Sequence, residues 1–103
     1  MTPSEYEEFT RTTAAYPKED ALSYLLFGLC EEVGELHGKV KRLIRDDKFD
    51  AEGFILELGD VLWYLTRLAD ETEVGLEEVI RRNVEKLSKR KDNNTLKGKG
   101  DYR

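Results

Sequence analysis

An all-α fold is what this sequence predicts, as four helices in a bundle-like arrangement followed by an irregular basic tail. Three observations predict it. Apolar residues recur at steps of three and four along two long stretches, and the only two prolines, Pro3 and Pro17, both fall where helices can begin. Of 103 residues, 39% are apolar and 38% charged, a balance that suits amphipathic helices with charged outer faces and not a large sheet.

Each element has its own local signals. Thr2-Pro3-Ser4-Glu5 reads as a capping box with proline at the first helical position, predicting a first helix to about Tyr16. Pro17 restricts Tyr16 and opens a second helix over residues 18–45. There Leu22, Leu26, Leu29, Val33, Leu36, Val40 and Leu43 form a heptad-like stripe. Arg45-Asp46-Asp47-Lys48 is a polar turn, and Asp50 caps a third helix with Phe54, Leu58, Val61, Leu62, Leu65, Leu68 and Ala69 on its apolar face. Val74-Gly75 breaks the chain, and Leu76 starts a fourth helix to about Lys91, with Glu77 and Glu78 at its positive end. The expected organisation is one domain over 1–103, a helical core over 1–91 and a tail over 92–103. So short a chain buries a limited core, so a homodimer or homotetramer is expected to complete it.

Charge and composition narrow the function. Residues 1–85 hold 20 acidic and 10 basic side chains, whereas residues 86–103 hold 7 basic and 2 acidic. An acidic body argues against duplex nucleic acid as a partner. The basic tail either complements phosphates or is simply solvated. A single cysteine, Cys30, excludes an internal disulfide and reads as a half-buried structural thiol. No apolar run reaches the ~18 residues a membrane span needs, and the first residues lack a secretory pattern, so a cytoplasmic protein is expected.

Two acid pairs carry the chemistry. Glu32 and Glu35, and likewise Glu57 and Asp60, stand three residues apart, which puts each pair on one flank of its helix. If the two helices pack antiparallel through their stripes, four hard oxygen donors converge, a set suited to Mg2+ or Mn2+. Each pair is embedded among apolar residues, where unpaired carboxylates are costly. Spacing alone leaves a solvated acidic face equally open.

The segment Glu31-Glu32-Val33-Gly34-Glu35 followed by Glu57-Leu58-Gly59-Asp60 resembles the two-part E-E-x-x-E and E-x-x-D signature of MazG-like nucleotide pyrophosphohydrolases. Asn83, Lys86, Leu87 and Arg90 are similar to that family's N-x-x-K-L-x-x-R stretch, and Gly98 to Arg103 to the G-x-G-D-x-R close of short members. The resemblance implies hydrolysis of a nucleoside triphosphate to its monophosphate and pyrophosphate. Glu32, Glu35, Glu57 and Asp60 would hold the Mg2+, and Glu31 would support them or orient water as a base. Lys86 and Arg90 would neutralise phosphates, with Asn83 and Arg103 among the substrate contacts. Phosphoribosyl-ATP pyrophosphohydrolase shares the acid pairs but usually lacks the Asn83–Arg90 pattern. A non-catalytic module dimerising through the leucine stripes is the reading from another class. His37 lacks the glutamate three positions earlier that a di-iron bundle would use, and is expected on the surface. Trp63 and Tyr64 are candidates to stack on a base, but Trp63 falls opposite the Leu58 stripe and is expected at a subunit interface. Gly34, Gly38 and Gly59 are expected to mark close approach of another helix, of this chain or of a partner subunit.

Overall fold

The computed structural model describes residues 1–101. Four α-helices are present: α1 (Pro3–Arg11), α2 (Ala21–Asp46), α3 (Ala51–Glu71) and α4 (Leu76–Asp92), with a 3-10 turn over Lys18–Asp20 ahead of α2. No strand occurs among the described residues, so the all-α expectation holds.

Helix starts follow the caps. Thr2 Oγ1 accepts from the Glu5 amide at 3.1 Å while Glu5 Oε1 accepts from the Thr2 amide at 2.8 Å, closing the capping box. Asp50 Oδ1 accepts from the Gly53 amide at 2.9 Å and starts α3. Gly75, at φ 89°, supplies a backbone turn that side chains disfavour. Glu7 then reaches across from α1 to accept from the Leu76 amide at 2.6 Å, placing negative charge on the α4 N-terminus.

The first helix is shorter than the sequence predicts. Thr12 Oγ1 donates to the Phe9 carbonyl at 2.7 Å and Thr13 Oγ1 to the Thr10 carbonyl at 3.1 Å, so side chains satisfy the carbonyls that a continuing helix would use. Tyr16 then leaves the helical path, turns its hydroxyl onto Glu71 and Arg67, and is followed by Pro17. The predicted second helix divides accordingly into the 3-10 turn and α2.

The four-residue connection between α2 and α3 folds them back as an antiparallel hairpin, the most extensive contact in the chain. The first helix crosses α3 and α4, while α4 touches α1 and α3 but not α2. Leu25 is fully buried and Ala21 and Ala69 nearly so, together with Thr10, Thr66 and Arg67. The Arg67 guanidinium donates to Asp70 at 2.6 Å, Glu71 at 3.2 Å, Tyr16 at 3.2 Å and Thr10 at 3.3 Å. Such a buried cation is tolerable because its charge and donors are matched. It ties the chain between α1 and α2 to α3.

The leucine stripes are only partly used within one chain. Leu22 and Leu26 on α2 are each 53% exposed, and Leu58, Leu62 and Leu65 on α3 also remain exposed. Cys30 is exposed and not half-buried. Gly34 and Gly59 face open space, and Gly38 meets only its own helix's Arg42. Within the chain the close approach lies at Gly28, where an added Cβ would fall 2.1 Å from the Tyr64 ring. That contact lets α3 cross α2 near the acidic residues. Trp63 faces its own chain, with Nε1 donating to Thr13 Oγ1 at 2.7 Å. The tail over 93–101 folds back onto α4: Arg90 donates to the Gly100 carbonyl at 2.8 Å, and Lys86 pairs with Asp101 at 3.1 Å.

Candidate metal centre

The α2–α3 hairpin sets the first acid pair opposite the second. One carboxylate oxygen from each of Glu32, Glu57 and Asp60 lies within 4.8 Å of the others. Glu32 and Glu57 are half-buried and Asp60 is exposed. Glu35 is exposed and outside this tight group. It stands ~4.5 Å further along the axis and ~60° round the helix from Glu32, so sharing a flank does not give it the same depth.

Three like charges held this closely disfavour full ionisation. The Glu32 carboxyl is pushed up to about 7, first by its side-chain hydrogen bond with Glu57, then by desolvation and by the charges of Asp60, Glu57 and Glu31. The Asp60 carboxyl is raised by desolvation and by the Glu57 charge. With all of them ionised no group in the cluster can donate, and Glu57 Oε2 is buried without a hydrogen-bond partner. An orphaned carboxylate oxygen inside an all-oxygen, all-anionic donor set fits a hard divalent cation.

Glu31 is exposed, lies outside the tight group, and acts on Glu32 through its charge. The other expected residues are not drawn to the cluster within one chain. Arg90 is buried and Lys86 half-buried, and both cations point to the tail, with Asp101 3.5 Å from Arg90. Asn83 is exposed on α4, beside a shallow surface shared with Val79, Arg82 and Lys86. Arg103 lies outside the described residues.

A cleft of about 360 Å3 opens directly against the cluster, lined by Glu32, Asp60, Trp63, Tyr64, Phe9 and Thr13. Trp63 and Tyr64 meet edge to face with ring centroids 5.0 Å apart. Phe9 and Thr13 come from α1 and the turn after it, some twenty residues from the nearest motif, so no spacing signal could have placed them there. A second cleft, near Arg11, Tyr16, Arg67 and Asp70, has its two arginines already engaged in ion pairs with Asp70.

An all-helical hairpin presenting a carboxylate trio defines a helical domain with a candidate divalent-metal centre. Residues 21–95 match the MazG nucleotide pyrophosphohydrolase domain, and the chain belongs to that family. It is also 38% identical over 109 residues to the gene 37 protein of Mycobacterium phage L5, covering 95% of this chain and 96% of that protein. No solved structure matches the chain. The family is one of nucleotide pyrophosphohydrolases, whose members typically use a divalent metal. Among the described residues, no helix is long and apolar enough to cross a membrane.

Proposed function

We propose that this chain hydrolyses a nucleoside or deoxynucleoside triphosphate to the monophosphate and pyrophosphate, with Mg2+ held by Glu32, Glu57 and Asp60, and that it serves in nucleotide-pool housecleaning. The observation that carries the proposal is the trio itself, three carboxylates within 4.8 Å with an orphaned Glu57 oxygen, in a chain of this family. The cation would polarise the phosphate oxygens and neutralise charge that develops as the phosphoanhydride bond breaks. Mn2+ suits the same donors.

The chain's own residues divide the remaining work. Glu35 becomes a fourth ligand by turning its exposed side chain toward Glu32. Glu31, next to the cluster yet outside it, accepts the proton of the attacking water. Asn83, Lys86 and Arg90 bind phosphates once Asp101, the present anion between Lys86 and Arg90, gives way to them. Arg103 is assigned to the same phosphates. The exposed Leu22, Leu26, Phe27, Ile55 and Leu56 support a homodimer or homotetramer as the working form, because monomers rarely leave such broad apolar surface bare. Light scattering tests this, and a stable ~12 kDa species at micromolar concentration would rule it out.

The activity test is a panel of nucleoside triphosphates with chromatographic identification of products. Monophosphate and pyrophosphate should appear with Mg2+ and vanish with chelator or in Asp60→Asn. Release of orthophosphate and diphosphate, or turnover indifferent to chelator, would overturn the reading.

A further inference from the structure

Two arginines are buried among the described residues, Arg67 at 4% and Arg90 at 7% exposure, and they are served very differently. The Arg67 guanidinium has two carboxylates and two hydroxyls as acceptors. Arg90 stands on α4, whose other residues are mostly exposed, and meets the returning tail. Its Nη2 donates to the Gly100 carbonyl at 2.8 Å, Asp101 reaches it only at 3.5 Å, and its Nε is buried with no partner. Lys86, one turn earlier on the same face, holds Asp101 at 3.1 Å.

Arg90 is therefore a buried cation short of acceptors, and it cannot shed its charge. The edge formed by Nε and Nη2 is half used, and by a neutral carbonyl. Two oxygens of one phosphate take both N–H groups of such an edge as a fork. The surface alongside has room for an anion larger than a carboxylate: a cleft of about 700 Å3 is lined by Arg81, Arg82, Lys86 and Lys89, with Glu85 and Asp101. The tail that closes it is lightly held. It returns through positive-φ positions at Asn94, Gly98 and Gly100, and the Leu96 residue and Asp101 side chain stay 55% and 74% exposed.

We propose that the tail is a tethered competitor for this site: Asp101 and the Gly100 carbonyl close it in the free protein, and an oligophosphate, free or as the chain of a nucleotide, enters by displacing them. The proposal rests on the phosphate role given above to Lys86 and Arg90 and adds its regulation. Because the competitor is part of the chain, it weakens every anion that uses the site by the same factor, whatever the anion's length. Weakly held orthophosphate is thereby kept out at concentrations where an oligophosphate still enters. An exposed ion pair of this kind sets the factor at about two to five.

Limited trypsin digestion, with fragments identified by mass, reads release of the tail at Lys97 and Lys99, because cleavage of a folded segment follows the population of its open form. The probes are pyrophosphate, tripolyphosphate and ATP, each against sodium chloride of equal ionic strength. All are used with chelator, so the carboxylate trio holds no metal. The three anions should speed cleavage saturably by about two- to fivefold over chloride. Asp101→Asn should be cut faster by the same factor without any anion, and should gain little more when one is added. In titration calorimetry the variant should bind pyrophosphate and tripolyphosphate about two- to fivefold tighter than wild type, by one factor common to both.

Anions that leave cleavage at the chloride rate, or slow it by drawing the tail over themselves, overturn the proposal. So does an Asp101→Asn variant that binds both anions as wild type does. Release by the inorganic anions but not by ATP overturns the link to the nucleotide. Hydrolysis is scored separately, so a tail that yields to oligophosphates in a protein that cleaves no nucleotide would refute the proposed activity and leave the competitor standing.

Discussion

Replacing Glu32 by glutamine should make the metal-free protein more stable near neutral pH while removing its response to Mg2+. The Glu32 carboxyl ordinarily titrates at 4.5 and here stands at about 7. Its folded value is raised, so folding takes up a proton between those two values. The penalty is absent below the lower value and complete above the upper one. Taken at face value, that shift caps the penalty at ~3 kcal/mol. Glu32 sits at a rim open to solvent, and screening there reduces the expected figure to ~1 kcal/mol. Glutamine keeps the shape, removes the charge and offers an N–H to the orphaned Glu57 Oε2. For a domain of this size ~1 kcal/mol corresponds to ~4–8 °C in Tm. Thermal melts with chelator near pH 8 should show that gain, and melts near pH 5 should show little of it. With saturating Mg2+ the wild type should rise and the variant should not. A variant that melts at or below wild type near pH 8, or that gains equally at both pH values, would refute the reasoning.

Other expectations follow from the same geometry. The Asp70 carboxyl is held down at about 2, first by its hydrogen bond from Arg11 and also by Arg67, so its stabilising effect is present above its ordinary 3.8 and is lost as pH falls toward 2. Asp70→Asn should remove that part of the acid unfolding curve, measured by circular dichroism. Gly59→Ala meets open space inside a helix and should add up to ~1 kcal/mol, whereas Gly28→Ala must displace the Tyr64 ring and should lose ~1–3 kcal/mol in urea melts. Asp101→Asn removes the anion shared by Lys86 and Arg90 and should lower the KM for nucleotide about two- to fivefold in steady-state kinetics.

What was legible in the sequence was whatever rests on local chemistry. The Thr2–Glu5 capping box, the Asp50 cap and the break at Gly75 each need only a few neighbouring residues, and each stands as expected. The end of α1 was not legible, because Tyr16 is drawn away by Glu71 and Arg67, fifty-odd residues along the chain. Arg67 itself carried a readable signal, with Asp70 and Glu71 three and four positions on, but its burial depends on Tyr16 and Thr10 arriving from elsewhere. In the candidate site, the three-residue spacing put each acid pair on one flank of its helix but could not separate the depth of Glu32 from that of Glu35. Lys86 and Arg90 do share a face of α4, yet the anion they meet is Asp101 of the tail. The pairing of Trp63 with Tyr64 was legible, but the wall that Phe9 and Thr13 add to their cleft was not. It comes from α1 and the turn after it, and no sequence spacing records their approach to α3.

The central claim is that Glu32, Glu57 and Asp60 form one divalent-metal site, and Glu57 is its most telling member because its Oε2 is buried and unpartnered. Titration calorimetry of Mg2+ into wild type and Glu57→Gln near pH 7.5, with helix content checked on both, tests it directly. Saturable binding to the wild type and its loss in the equally folded variant are the predicted result. Equal affinity in the two proteins would contradict it.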